Sequence, residues 1–165
     1  LQERHNWARL QVIQPMYSLV KRQAEVEILP MAEANGIGVI PYSPAAAGLL
    51  SGKYFGQASG RLKTNKMYEA RYGDKWMFEV AEKYVGFCKH KGLHPVSTAI
   101  AWVAAHPAVT APIIGARNVE QLKDSLAAVK IDMTPALRAE LAELSRTPPP
   151  ATDRSEEQKV AKAAA

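Results

Sequence analysis

Short apolar runs alternate along this chain with longer segments whose apolar residues recur every three or four positions. The short runs, bounded by polar residues, glycine or proline, predict strands at 12–19, 37–42 and 111–114. The helical spacing predicts helices at 23–35, from Trp76 to near Gly92, from Pro95 to Pro107, from Asn118 through Val129, and from Thr134 to about Leu144. This alternation favours an α/β fold made of βα units around a parallel sheet, with a long loop at 44–73.

The junction after the third predicted strand has the pattern of an anion site. Asn118 is a plausible N-cap, and Gln121 three residues later completes a capping-box pattern. The first-turn amides of the helix then face the end of the strand, where Arg117 adds a planar set of N–H donors. On this turn alone, the alternative is a surface turn with a solvated Arg117.

The junction after the second predicted strand carries a similar set of groups. Ser43, Ser51 and Lys53 can donate hydrogen bonds, and Gly48 and Gly52 allow the backbone to approach a ligand closely. Because the carboxyl ends of parallel strands meet at one edge, both junctions are expected to face the same ligand. Phosphate groups fit such donors.

At these residues the chain resembles the aldo-keto reductase superfamily, over about Trp7 to Ala142. The residues at 11–19 look like that family's sixth barrel strand, those at 40–54 like its seventh strand and loop, and those at 110–126 like its eighth strand and cofactor helix. The resemblance implies the C-terminal part of a (β/α)8 TIM barrel, incomplete as a barrel because closure needs eight strands. We therefore expect a partial domain at 1–145 and an extended or disordered tail at 146–165.

The resemblance also implies a nicotinamide cofactor site. Gln14 is expected to hold the nicotinamide carboxamide and Tyr42 to stack on the ring; a core amide and an ordinary buried aromatic are the alternatives for these two. The pyrophosphate is expected at Ser43, Ala45, Gly48 and Lys53, and the adenosine end at Gly115, Ala116, Arg117, Gln121, Asp124 and Ser125. Some family members have a Lys-Ser pair and a later Arg where this chain has Gly115-Ala116 and Gln121. Those residues surround the 2′-phosphate in such members, and Arg117 can compensate for them here, so NADP(H) is the expected cofactor, with NAD(H) as the alternative.

In that family the catalytic Asp, Tyr, Lys and His come from the first half of the barrel, which this sequence does not contain. We therefore expect no catalytic residue in this chain, and a missing N-terminal half-barrel, in the same or another chain, as its partner. The implied reaction is reduction of a small carbonyl substrate. The alternatives are a regulatory subunit of the kind that binds voltage-gated potassium channels, and an inactive truncated fragment.

Composition narrows the classes of function and the cellular locations that remain open for this chain. The net charge is +5, but the lysines and arginines are scattered, which argues against nucleic-acid binding. One cysteine excludes a disulfide framework, and no apolar stretch approaches a membrane span, so a cytoplasmic location is expected. The four histidines lack metal-ligand spacing and are expected to be solvated or capping, and Cys88 is expected to be a small core residue.

Overall fold

The computed structural model describes residues 2–55 and 65–149 of the chain. Its strands are β1 (Val12–Ile13) and β2 (Gly38–Val39), and its α-helices are α1 (Gln2–His5), α2 (Ile28–Ala34), α3 (Lys66–Tyr72), α4 (Lys75–His90), α5 (Pro95–Ala104), α6 (Val119–Leu126) and α7 (Pro135–Glu143). Three 3₁₀-helices lie at Gln23–Glu25, Ala46–Ser51 and Ala127–Lys130. The fold is α/β, with few strands and mostly helix.

The three predicted strands lie side by side and parallel. Strand β1 pairs with β2 in the register Val12 to Gly38, and the backbone of Tyr42 bridges both Met16 and Ile113. The regular ladder is much shorter than predicted, however. Each predicted strand contains a proline, at 15, 41 and 112, and a proline cannot donate to a ladder.

Two other boundaries correct the sequence prediction. The helix predicted at 23–35 is a 3₁₀ turn followed by α2, because a helix running through this segment would need an N–H that Pro30 lacks. The predicted loop at 44–73 contains a 3₁₀-helix and α3, which begins after Asn65, whose side chain accepts from the Met67 N–H. Residues 56–64 of that loop and 150–165 of the predicted tail lie outside the described part of the chain.

The later helices begin where the sequence predicts. Pro95 occupies the first turn of α5, and the side chains of Asn118 and Thr134 cap α6 and α7. Helix α4 ends at His90, close to the predicted stop at Gly92, and buries Met77, Val80, Ala81, Tyr84 and Cys88. Cys88 is a core residue as expected, and burial raises the pKa of its thiol.

The core forms where α5 packs against the strands and α4. Helix α5 is apolar on nearly every side, and its Trp102 is one of the largest fully buried side chains, with Tyr17, Tyr72, Tyr84 and Leu49. Within the described part of the chain, every helix is too short or too polar to cross a lipid bilayer.

A buried polar cluster joins the segment after β1 to α5 and α7. The Tyr17 hydroxyl donates to Glu25 Oε1 at 2.6 Å and accepts from Arg138 at 3.0 Å, and Arg22 contacts both oxygens of Glu25. Burial, followed by the hydrogen bond to Glu25, raises the pKa of Tyr17, so its phenol stays a donor. The guanidinium groups of Arg138 and Arg22 lie 4.9 and 5.8 Å from the ring centroid of Trp102.

Helix α6 leaves an apolar stripe uncovered. Its Val119, Leu122 and Leu126, and Val129 beyond its end, are respectively 66, 40, 53 and 86% exposed. Val12, in β1, is half exposed. These positions have the helical spacing that predicted α6, but in the described structure they do not pack on the core.

Candidate functional site

A cavity of about 630 Å³ opens where the predicted strands end, a volume typical of small-molecule sites. Its walls are the segment from Tyr42 to Lys53, the beginning of α5, and the segment from Ile113 to Ser125. The two junctions expected from the sequence therefore share one cavity. The backbone bridge between Tyr42 and Ile113 brings them together.

The first wall is built on unusual backbone. Ser43, Ala46 and Ala47 have φ values of 60°, 51° and 55°, and Gly48 follows with 89°. Non-glycine residues rarely take this left-handed conformation, and such strain clusters at functional sites. Residues of this turn, Ser43, Ala47 and Gly48 among them, line the cavity.

Lys53 lies over the glycine of this turn. A Cβ atom at Gly48 would approach Nζ of Lys53 to 2.7 Å and its Cε to 2.8 Å. The Ser51 hydroxyl donates to the Gly48 carbonyl at 2.7 Å and accepts from the Lys53 N–H at 3.4 Å. Gly48 thus makes room for an ammonium group at the cavity wall.

Tyr72 supports this wall from behind. Its side chain is fully buried, and its hydroxyl donates to Met16 Sδ at 3.5 Å. Burial raises the pKa of Tyr72, and a hydrogen bond with Ser43 partly opposes the rise. A neutral phenol therefore packs beneath the Ser43 turn.

The second wall is the N-terminal end of α6. Asn118 Oδ1 accepts from the Gln121 N–H at 2.9 Å, as the capping pattern predicts. Gln121 Oε1 accepts from the Arg117 N–H at 3.0 Å, one residue earlier than a reciprocal capping box requires. The Arg117 side chain is exposed at the cavity, and within the described residues neither Arg117 nor Lys53 forms a salt bridge.

Helix α5 closes the cavity beside the last turn of α6. The Ser97 hydroxyl donates to the backbone carbonyl of Asp124 at 2.6 Å, and Nε2 of His94 lies 3.9 Å from Asp124 Oδ2. The Ser125 hydroxyl donates to the Gln121 carbonyl at 2.9 Å. Ser125 lines the cavity as predicted, but its hydroxyl already has a partner within the helix.

All the predicted cofactor residues except Gln14 line this one cavity. Gln14 is exposed, outside the lining, and its contact with a nicotinamide stays a prediction. The sequence prediction missed the part of the lining that α5 contributes, namely His94, Val96 and Ile100. His94 does cap α5, as expected for a capping histidine, but nothing in the sequence indicates that this cap lies beside Asp124.

The composition of these walls fits a dinucleotide. Two cations, Lys53 and Arg117, line the cavity from different segments, and Gly48, whose added Cβ would strike Lys53, lines it as well. Such donors suit phosphate groups. Within residues 2–55 and 65–149, no group of three His, Cys, Asp or Glu side chains could hold a metal ion.

Comparison with known proteins identifies the family. The sequence matches the aldo/keto reductase family over residues 1–146. This chain belongs to that family. Its relatives include an uncharacterized oxidoreductase, YrpG, from Bacillus subtilis, which is 41% identical over 131 residues, covering 79% of this chain and 39% of YrpG.

Two relatives from Escherichia coli are more distant. The protein tas is 28% identical over 143 residues, covering 86% of this chain and 41% of tas. The NADH-specific methylglyoxal reductase is 29% identical over 147 residues, covering 87% of this chain and 45% of that enzyme. The chain thus spans about two fifths of the length of the curated relatives it matches.

Proposed function

We propose that this chain supplies the cofactor site of an NAD(P)H-dependent reductase that converts an aldehyde or ketone to an alcohol. The observation that carries the proposal is the cavity lined by both Lys53 and Arg117, which come from the segments after two parallel strands. Membership of the aldo/keto reductase family supports the reaction class. A reduced nicotinamide bound here supplies the hydride for the carbonyl carbon.

Each wall of the cavity then binds a different part of the dinucleotide. Lys53 and the main chain from Ser43 to Gly48 hold the pyrophosphate, because an ammonium group and a concave backbone both favour negative oxygens. Arg117 holds a ribose phosphate at the adenosine end, where its planar donors can bind two oxygens at once. Tyr42, half-buried at the strand end, faces the nicotinamide.

The Arg117 side chain favours NADPH over NADH, since a 2′-phosphate gives the guanidinium an anionic partner. NADH is the alternative cofactor, and the name of the NADH-specific methylglyoxal reductase supports keeping it in the test.

The catalytic residues are proposed to come from the other strands of a (β/α)8 barrel, in the same or another polypeptide. Two observations support this partner. The uncovered stripe of α6, centred on Leu122 and Leu126, and the exposed Val12 of β1 present the apolar surface that neighbouring barrel elements bury. Relatives also extend well beyond the matched region.

Calorimetric titration of this chain with NADPH and with NADH tests the cofactor site. We expect saturable binding, and the Arg117→Ala variant is expected to lose tenfold or more in NADPH affinity with a smaller loss for NADH. Lys123→Ala is the matched control, because it removes one positive charge from α6, which follows Arg117, at a position outside the cavity lining. A folded chain that binds neither cofactor, or equal losses in both variants, contradicts the proposal.

Turnover separates the cofactor site from catalysis. With NADPH or NADH and methylglyoxal as the probe substrate, the chain alone is expected to oxidise no cofactor above background. Sustained oxidation would show that this chain has its own catalytic groups and would contradict their assignment to other strands.

A further inference from the structure

We propose that His94 is a binding residue for the adenine base of the dinucleotide, acting through its Nε2 atom. The proposal rests on the proposed function, since it concerns the same cavity. His94 and Asp124 are both about half exposed on the cavity wall, with Nε2 3.9 Å from Asp124 Oδ2. The two polar atoms therefore stand side by side at one end of the cavity.

The surroundings of this pair suit a flat heteroaromatic ring. Val96 and Ile100 from α5 and Ile114 from the third predicted strand line the same cavity; Ile100 is buried, and Val96 and Ile114 are partly buried. They provide an apolar floor, and the His94–Asp124 pair provides a polar edge. Adenine matches this arrangement, because its face is apolar and its edge presents an amino donor beside a ring-nitrogen acceptor.

The two ring nitrogens of His94 have different roles, one in the helix cap and one in the proposed binding. Nδ1 lies 3.1 Å from Ser97 Oγ and 3.5 Å from the Ser97 N–H, so the helix cap uses this side of the ring. Ser97 in turn donates to the Asp124 carbonyl, which fixes α5 against α6. Nε2 is not used by the cap and lies 3.9 Å from Asp124 Oδ2 on the cavity wall.

The cavity also separates the two ends of the ligand. His94 lies beside Asp124, on the last turns of α6, whereas Tyr42 belongs to the strand end beside Ile113. Lys53, proposed to hold the pyrophosphate, lines the first wall beside Gly48. With the nicotinamide at Tyr42, the adenine is the part of the dinucleotide that reaches His94.

The test compares fragments of the cofactor. His94→Ser removes the imidazole but keeps a preferred N-cap residue, so α5 retains its cap. We expect a three- to tenfold loss of affinity for NADPH and for 2′,5′-ADP, which carries the adenine, and no change for nicotinamide mononucleotide. His90→Ser, which changes an exposed histidine at the end of α4 outside the cavity, is expected to bind all three like the wild type.

The outcomes distinguish this inference from the proposed function. If the wild-type chain binds NADPH and His94→Ser binds 2′,5′-ADP equally well, the role of His94 is wrong and the cofactor site stands. If the variant weakens nicotinamide mononucleotide as much as 2′,5′-ADP, the imidazole acts on the whole cavity and the adenine assignment is wrong. If the wild-type chain binds neither NADPH nor 2′,5′-ADP, both proposals fail. His94→Asn, which also caps, replaces the serine variant if that variant unfolds.

Discussion

The ammonium group of Lys53 lies directly over Gly48, so closely that a Cβ atom on the glycine would come within 2.7 Å of Nζ. Gly48 also has a φ of 89°, at the end of a turn in which two alanines already take left-handed backbone. Two constraints thus meet at one residue, one steric and one conformational. The close approach lets the lysine side chain pack over the turn, and the positive φ favours glycine at this position.

Replacing Gly48 with alanine is expected to lower both stability and cofactor affinity. The left-handed backbone costs alanine roughly 1–2 kcal/mol, and the new methyl group displaces Lys53 from its position. Chemical unfolding should therefore show that the free energy of unfolding falls by about that amount. Calorimetry should show NADPH binding weakened by tenfold or more.

The matched control is Gly86→Ala. Gly86 is exposed in the interior of α4, with no atom within 4 Å of the position of its missing Cβ. Alanine there should stabilise the chain by roughly 0.5–1 kcal/mol and leave binding unchanged. If Gly48→Ala behaves like this control, the close approach of Lys53 has no role in binding.

The sequence predicts the helices of the second half well because their beginnings are locally encoded. Asn118 and Thr134 accept from backbone N–H groups three residues on, and Pro95 sits in a first turn where no N–H is needed. Each signal lies within four residues of the boundary it sets. The cavity walls at Gly48 and Arg117 follow from the same local patterns.

What the sequence does not reveal depends on long-range packing. His94 reaches the cavity only because α5 packs against α6, with Ser97 bonded to the Asp124 carbonyl. The sequence prediction lacks helix α3, although Asn65 caps it, because this helix lies within the long loop predicted at 44–73. The short strand ladder depends on which N–H groups face a neighbour, and apolar spacing does not indicate that.

Asn118→Ala is expected to weaken both α6 and the cofactor site. The lost bond to the Gln121 N–H costs about 1 kcal/mol, and the first turn that carries Arg117 is loosened. Thr134→Ala removes an equivalent cap, from the Leu137 N–H, at a residue outside the cavity lining. Urea unfolding should show similar losses of unfolding free energy for both variants, whereas NADPH affinity should fall only for Asn118→Ala. Equal NADPH affinities in the two variants would show that the Asn118 cap does not contribute to the cofactor site.

Trp102 is expected to be the most sensitive core position. It is 1% exposed, its indole N–H donates to the Arg138 carbonyl at 3.0 Å, and its ring centroid lies 5.3 Å from that of Tyr17. Trp102→Ala should destabilise the chain by about 3–5 kcal/mol, and Trp102→Phe, which keeps an aromatic ring, by less. Trp7→Ala, at a position 61% exposed, should change stability by less than about 0.5 kcal/mol in the same unfolding measurement.

Glu25 is expected to make stability depend on acid pH. Burial raises the pKa of this carboxyl, but the hydrogen bonds from Arg22 and Tyr17 and the charges of Arg22 and Arg138 outweigh it, so the pKa lies below its ordinary value of 4.5. The folded state therefore favours the carboxylate. Its contribution to stability is complete above about pH 4.5 and is lost as the pH falls through the lower folded-state pKa.

Comparison of the wild type with Glu25→Gln isolates this contribution. Both chains keep His106, whose pKa is lowered by burial and raised by the charge of Glu25, so the variant also changes the titration of His106 between pH 5 and pH 7. The titration of Glu25 itself should make the difference in unfolding free energy between the two chains shrink below pH 4.5. Because Glu25 accepts from both Tyr17 and Arg22, the variant should be the less stable chain throughout that upper range. A difference that stays constant down to pH 3 would mean that the pKa of Glu25 is unchanged by folding.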